Sequence, residues 1–378
     1  MKIEFGKPFI DQKERNLVNK ILKQPILVHG RYTENFERNF CSFTKSKYAV
    51  SVSSCTAGLH MGYLALGIRE GDEVIVTSQS HVATAHAIEY VGAKPIFVDC
   101  DLKFGNIDIN LIESKITNKT KAISIVHFLG MPVDMIHLKK ITKKYNLFLI
   151  EDCALAVGAK IGKKHVGTFG DIGSFSFYPV KHITTIEGGM ITTQKKSVAN
   201  FLKKARAFGY EKNQTLIKSG KFYDVDLLGL NYRMNEVEAG IGIEQLKKIN
   251  KILKIRKNNS NFLRQGLKSI KGISLINGYR RNFINSNYCV SIFLSNGTIK
   301  KRKYVMDQLK KRGITSSIYY PGPIPNLKYY KKKYNVNPSE FKNASIISNL
   351  SIALPVGPHL KINHMKFIIK SVKEVMNE

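Results

Sequence analysis

Residues 72–100 read DEVIVTSQSHVATAHAIEYVGAKPIFVDC. Asp72–Ser78 is a short β-branched run, Lys94–Cys100 is a second, and His81–Ala93 between them has the length and small apolar composition of a helix. Strand, helix and strand in that order predict a parallel unit, because two parallel strands need a crossover and a helix of about 10–15 residues supplies it. The pattern continues outward. Tyr48–Ser54 (YAVSVSS) reads as a strand leading into a helix at Cys55–Ile68 (CTAGLHMGYLALGI). Downstream, Thr120–Gly130 (TKAISIVHFLG), Met135–Asn146 (MIHLKKITKKYN) and Leu147–Cys153 (LFLIEDC) give strand, helix and strand again. The fold class is α/β, with a mixed, mostly parallel sheet between helices. Right-handed crossovers then gather the loops that follow the strands along one edge, where ligands of such sheets bind.

With 378 residues the chain is too long for one comfortable core. The pattern changes after residue 270. Residues 231–270 form one long helical pattern, and the segments Gly272–Asn277, Asn287–Ser295, Lys300–Ile314 and Ile362–Met376 suggest a small α+β domain. The division expected is a large domain with an N-terminal arm at 1–245 and a small C-terminal domain at 246–378. The Pro-rich Tyr319–Tyr330 (YYPGPIPNLKYY) is expected to be a surface loop.

Sixty Lys and Arg against 28 Asp and Glu give a formal charge of +32. The lysines are scattered in pairs and triplets, with no zinc-finger spacing, basic zipper or RNP-like aromatic motif, so no nucleic-acid partner is expected. Attraction for a phosphorylated small substrate fits the charge equally well. The five cysteines, Cys41, Cys55, Cys100, Cys153 and Cys289, include no Cys-x-x-Cys pair, so neither a metal site nor a disulfide framework is expected. Cys100 and Cys153 follow apolar runs and read as small buried hydrophobes. The N-terminus has no apolar signal core, and no run approaches the ~18 apolar residues of a membrane span. The expectation is a cytoplasmic protein with no membrane partner.

Three stretches carry chemistry. In Asn146–Cys153 (NLFLIEDC) an apolar strand ends in Glu151–Asp152, which puts a carboxylate at the ligand edge. It could be a helix cap or a surface acid, or the buried partner of a cationic ring nitrogen. Lys181 follows GSFSFYPV and precedes HITTIEGGM. Most lysines in this chain are surface residues, but an amine beside apolar and aromatic groups has the lowered pKa of a nucleophile, and paired glycines allow close backbone approach. In Ser51–His60 (SVSSCTAGLH) a strand runs through small residues into a helix. That is either ordinary capping by Ser54 or Thr56, or a phosphate cradle at a helix N-terminus. A phosphate cradle, an acid at a strand end and a lysine after an apolar strand together match the needs of pyridoxal 5'-phosphate. The lysine bonds its aldehyde, the acid keeps its ring nitrogen protonated, and the cradle anchors the phosphate.

With these stretches in place the chain resembles the DegT/DnrJ/EryC1/StrS family of sugar aminotransferases, fold-type I pyridoxal phosphate enzymes acting mostly on nucleotide-linked keto-sugars. The likeness runs nearly end to end, from ILVHGRYTENFERNF through GDIGSFSFYPVKHITTIEGGM and LLGLNYRMNEVEAGIGIEQL to SSIYYPGPIPNLKYY. It implies that Lys181 bonds the cofactor and Asp152 pairs with its ring nitrogen. It implies phosphate contacts from Cys55, Thr56 and Ser176, and from Asn231 of a neighbouring subunit, hence a homodimer with shared sites. Arg233, Tyr319 and Tyr320 are placed near the substrate. Two positions depart from the family pattern. His81 stands where an aromatic residue commonly stacks on the cofactor ring, and Leu155 where many members carry a polar group near the cofactor's phenolic oxygen. A leucine cannot hydrogen-bond there.

The expected reaction is transfer of an amino group from L-glutamate to a nucleotide-linked keto-deoxy-sugar, for amino-sugar and surface-polysaccharide synthesis. A dehydratase or a cyclitol aminotransferase of the same family is the alternative within enzymes, and a basic binding or regulatory protein on the same fold is the alternative outside them. The dehydratase branch has histidine in place of the cofactor-bonding lysine. Lys181 is retained here, with His182 merely adjacent, which favours transamination.

Overall fold

The structure is a computed structural model that describes residues 1–211, 223–276 and 280–377. Its centre is a seven-stranded sheet of β1 (Tyr48–Val52), β2 (Glu73–Thr77), β3 (Lys94–Val98), β4 (Thr120–Val126), β5 (Phe148–Asp152), β6 (Ile172–Ser176) and β7 (Gly189–Thr193). The order is β1-β7-β6-β5-β4-β2-β3. Strands β3, β2, β4, β5 and β6 run parallel to one another, whereas β7 is antiparallel to both β6 and β1. The reversal at β7 comes from a tight return after β6, closed by Phe177 N–H on Gly188 O and Thr185 N–H on Phe177 O, both 2.9 Å. Lys181 sits inside that return.

Both sheet faces are covered, which is why the strands read as continuous apolar runs. The pleat divides them. Val74 and Val76 join a cluster with Leu59, Met61 and Ile88 of helices Cys55–Ala65 and Val82–Glu89. Ile75 faces the other way, with Met135, Leu138 and Ile141 of helix Met135–Lys144.

A second core forms around the antiparallel strands β8 (Ile273–Leu275), β9 (Val290–Leu294) and β10 (Ser351–Leu354), with β9 in the middle. Val290, Ile292, Val305, Leu309, Ile368 and Val372 fill it, and helices Ile299–Lys311 and Ile362–Asn377 cover it. Ile3 of the N-terminal arm belongs to this core too, paired by backbone hydrogen bonds with Gly313 and Thr315. Asn277, the last residue of one expected strand, lies outside the described residues.

Two expectations need correction. The long helical pattern at 231–270 is two helices, Glu236–Lys247 and Ile249–Leu267. They part at Lys248, whose N–H bonds Gln245 O, three residues back, at 3.1 Å and so tightens the last turn. The second of them serves both cores, with Ile249 and Ile252 in one and Leu263 and Leu267 in the other. The Tyr319–Tyr330 stretch is not a surface loop. Ile324 and Tyr330 are fully buried, and Ile324 N–H bonds Ser78 O at 2.9 Å, at the end of β2. Its apolar residues find the first core in spite of the prolines that mark it as a loop.

Two helices are capped by carboxylates from far along the chain. Gly30, at the N-cap of helix Arg31–Thr44, has no side chain to offer, and Glu236 accepts from the N–H groups of Tyr32 (2.8 Å) and Thr33 (3.0 Å) instead. A Cβ on Gly30 would stand 2.4 Å from that carboxylate, so the glycine makes room for it. Asp99, just past β3, accepts from Asn343 and Ala344 N–H at 2.9 and 3.0 Å and so ties helix Lys342–Leu350 to the sheet. Among the described residues no helix is long and apolar enough to cross a membrane.

Candidate active site

A cavity of ≈ 480 Å³ opens where the C-terminal ends of β4 and β5 meet the Lys181 return, helix Cys55–Ala65 and the Tyr319–Tyr320 segment. Cys55, Thr56, His81, Asp152, Ser176, Lys181, Tyr319 and Tyr320 all line it. Eight of the ten residues singled out from the sequence therefore meet in one place, drawn from segments up to 265 positions apart (Cys55 to Tyr320).

Lys181 is held by its turn, with its N–H on Tyr178 O at 2.9 Å. The turn is braced from outside: Thr184 N–H donates to Gln245 Oε1 at 3.3 Å, and Gln245 Nε2 donates to Phe9 O at 2.7 Å. The side chain is half-buried, with Nζ 5.6 Å from the centre of the Tyr288 ring. Burial pushes the Lys181 pKa below the ordinary lysine value, and Cys55 and Asp152 only partly offset that. A lysine poised to lose its proton is what a nucleophilic amine requires.

Asp152 ends β5 and is 4 % exposed, so it is neither a surface acid nor a cap. Its Oδ2 accepts from Thr84 Oγ1 at 2.8 Å and its Oδ1 from Ala154 N–H at 3.0 Å. The Cys55 Sγ is 3.9 Å from Oδ1. Burial and the Asp152 charge push the Cys55 thiol well up, which keeps it protonated. Glu151, one residue earlier, points to the opposite face. It accepts from Gly167, Phe169 and Gly170 N–H at 2.7–2.8 Å and pairs with His127 Nε2 at 3.1 Å. His127 Nδ1 takes the Val133 N–H, so its proton is on Nε2 and is given to Glu151. His127, Glu151 and Cys153 stand close together, but the first two spend their ligand atoms on each other and on backbone N–H groups.

At the cavity's other end Ser54 caps helix Cys55–Ala65 by accepting the Ala57 N–H at 3.0 Å. Capping is thus correct for Ser54. It leaves the positive end of the helix, with Thr56 and the Ser176 hydroxyl, on the cavity wall. The glycine pair explains the closeness of the elements here. A Cβ on Gly189 would lie 2.5 Å from the Ser54 carbonyl carbon, and Gly188 has φ +146°.

His81 caps helix Val82–Glu89 through Nδ1, which accepts the Ala83 N–H at 3.2 Å, and meets Tyr320 edge-on at 5.8 Å. Desolvation lowers its pKa, with Asp152 opposing, so the ring on the cavity wall is neutral. Leu155 is 1 % exposed and also lines the cavity, as an apolar surface. His182 is buried with Nε2 on Ser286 O at 3.0 Å, in keeping with a packing role.

Two of the ten residues lie elsewhere. Arg233 Nε donates to Asn231 Oδ1 at 2.9 Å and its guanidinium lies over the Phe208 ring, outside this chain's own cavity. Sequence reading also missed wall residues. Tyr288, just before β9, donates to or accepts from Tyr319 through hydroxyls 2.8 Å apart, and its own phenol is pushed up to about 12, chiefly by burial. Ser80 and Glu187 line the cavity as well. Nothing in the local sequence around Tyr288 marks it, because only the docking of the second core brings it to Lys181.

The chemistry of this donor set fits pyridoxal phosphate. An amine with depressed pKa and an acceptor-only carboxylate share one cavity with a helix N-terminus suited to a dianion.

A sequence profile of the DegT/DnrJ/EryC1/StrS aminotransferase family matches residues 8–373. The chain is 36% identical over 373 residues to GDP-perosamine synthase of Escherichia coli O157:H7, covering 98% of each. It superimposes on Helicobacter pylori PseC, an aminotransferase involved in pseudoaminic acid biosynthesis, with TM-score 0.93 and 27% identity over all of both chains. Spr1654 of Streptococcus pneumoniae in its PMP form matches with TM-score 0.94 and 26% identity, over 100% of this chain and 99% of that one.

Proposed function

We infer the substrates from one premise: the chain belongs to the DegT/DnrJ/EryC1/StrS aminotransferase family and is a pyridoxal-phosphate-dependent aminotransferase. The reading is that it moves an amino group from L-glutamate to the ketone of a nucleotide-linked deoxy sugar, for amino-sugar and surface-polysaccharide synthesis. The observation that carries it is the meeting of Lys181, Asp152 and the N-terminus of helix Cys55–Ala65 in one cavity. The substrate class is supported by the likeness to GDP-perosamine synthase over 98% of both chains. A charge of +32 also suits a substrate bearing a pyrophosphate.

When bound, the cofactor supplies an electrophilic carbon and a ring that accepts the electron pair left when a substrate C–H bond breaks. The chain's residues do the rest. Lys181 Nζ, its pKa lowered by burial, would bond the cofactor. Freed from that bond, the same amine would be placed to move a proton between the substrate carbon and the cofactor. Asp152 would accept from the ring N–H and so favour the protonated ring. Thr56, Cys55 and Ser176 would hold the phosphate, and His81 would lie against the ring. Tyr319 and Tyr320, with Tyr288, form the wall on which the sugar is oriented.

Asn231 and Arg233 fit this scheme through a second copy of the chain. Arg233 lies over the exposed Phe208 ring, and Phe208, Tyr210 and Tyr223 follow one another in ring contact, with exposed Val225 paired to Tyr210. In the proposed homodimer this face is covered and Asn231 reaches the partner's phosphate site, with Arg233 beside the partner's substrate. Five unpaired cysteines accord with a reducing, cytoplasmic setting.

The test is incubation of the cofactor-loaded protein with glutamate alone. One equivalent of 2-oxoglutarate per site, followed by amination of a nucleotide keto-sugar in a second, separate half, is expected. No 2-oxoglutarate, or amination of free cyclitols in preference to nucleotide sugars, would overturn the reading.

A further inference from the structure

Thr84 does not line the cavity, and yet it is bound to the acid at its floor. It is fully buried in helix Val82–Glu89, with Oγ1 2.8 Å from Asp152 Oδ2. An ionised carboxylate has no proton to give, so the hydroxyl must donate. That uses the only proton Thr84 has. Ser80 Oγ, 2.7 Å from Thr84 Oγ1, is therefore the donor in the second bond, and the chain runs one way, from Ser80 to Thr84 to Asp152. Ser80 is itself on the cavity wall. Oδ1 of Asp152 already accepts from Ala154 N–H and has Cys55 Sγ 3.9 Å away, whereas Oδ2 accepts from Thr84, which thereby shapes what Oδ2 can still accept.

We propose that Thr84, backed by Ser80, is a positioning residue for transamination: it turns the Asp152 carboxylate to the cofactor's ring nitrogen and draws off enough of its charge that the shared proton stays on the ring. The inference rests on Asp152 being the ring's partner. A helix hydroxyl suits this task because it is rigid. β-Branched Thr84 has few rotamers in a helix, and a threonine hydroxyl there would otherwise turn back to its own backbone carbonyls. A charge-assisted bond in a buried site is also stronger than a neutral one.

Removing the hydroxyl makes Asp152 a stronger base that competes for the ring proton. A less positive ring then lets the Lys181 nitrogen bonded to the cofactor keep its proton to higher pH. The titratable groups facing Asp152 besides Lys181 are Cys55, Cys153, Tyr63, Tyr320 and His81. Burial pushes the first four up and His81 down, so none changes charge between about pH 7 and 9, where the readout lies.

The experiment compares T84V, T84S, S80A and D152N holoproteins with the parent by pH titration of the bound cofactor's visible absorbance band and by cofactor dissociation constant. Expected for T84V are a midpoint raised by roughly half a pH unit or more and cofactor binding about tenfold weaker. T84S should restore both, and S80A should shift the midpoint the same way by less. If T84V does not fold, S80A alone decides, and a parental midpoint in S80A then counts against the proposal. D152N separates the two levels. If it titrates like the parent, the assignment of Asp152 fails. If D152N shifts and T84V does not, the Thr84 proposal fails alone.

Discussion

Asp152 and Glu151 are neighbours on β5, and their surroundings are opposite. Glu151 faces the back of the sheet, where three backbone N–H groups and His127 take up its acceptor sites. Asp152 faces the cavity and accepts from Thr84 and Ala154, with capacity left over. The same contrast recurs in the return after β6: Lys181 lines the cavity, and His182 packs against Ser286. The pleat and the turn thus separate groups that build the structure from groups left free for chemistry. A polar side chain with all its partners within the protein holds the fold. One with a vacant position beside a cavity is where a ligand can act.

Substitutions break the contrast most sharply at Lys181. K181A should lose turnover by roughly three orders of magnitude or more, while its thermal melting stays near the parent's; kinetics on the folded variant check this. D152N should lose about a hundredfold or more in turnover with little change in stability. E151Q should do the reverse. It leaves buried donors poorly matched and costs on the order of 3 kcal/mol in denaturant unfolding, with turnover per folded molecule close to the parent's. Equal effects of the two on stability would dissolve the contrast.

The contrast is sharpened by pH. The Lys181 amine must shed its proton before it bonds the cofactor, so covalent capture by apoprotein should speed up as pH rises through its pKa. Because burial lowers that pKa, the midpoint should fall below the 10.5 of an ordinary lysine. A midpoint at or above 10.5, read by stopped-flow absorbance, would contradict the buried setting. The smallest effect is expected for Y288F. It keeps the ring beside Lys181 but removes one hydroxyl of the Tyr288–Tyr319 pair, and a few-fold rise in KM for the keto-sugar with kcat nearly unchanged should follow.

Much of this was legible in the chain. The runs Asp72–Ser78, Lys94–Cys100 and Leu147–Cys153 become β2, β3 and β5, because β-branched residues between turn signals have few other uses. Lys181 was legible from its aromatic and glycine flanks. The roles of Glu151 and Asp152 were harder to separate, since a strand buried on both faces shows no alternation to tell which acid faces the ligand. Tyr288, Thr84 and the Asp99 cap could not be read locally. Each acts through a partner 31 to 245 residues away, and such pairings exist only once the tertiary fold brings distant segments together. The prolines of Tyr319–Tyr330 misled for a related reason: they report local backbone, whereas Ile324 and Tyr330 report tertiary burial.

The most direct test of the account is reduction of the cofactor-loaded protein with borohydride, followed by peptide mapping. The account predicts a pyridoxyl group on Lys181 in the peptide that spans Val180–His182, at one per chain. A label on another lysine, or none with the cofactor bound, would contradict it.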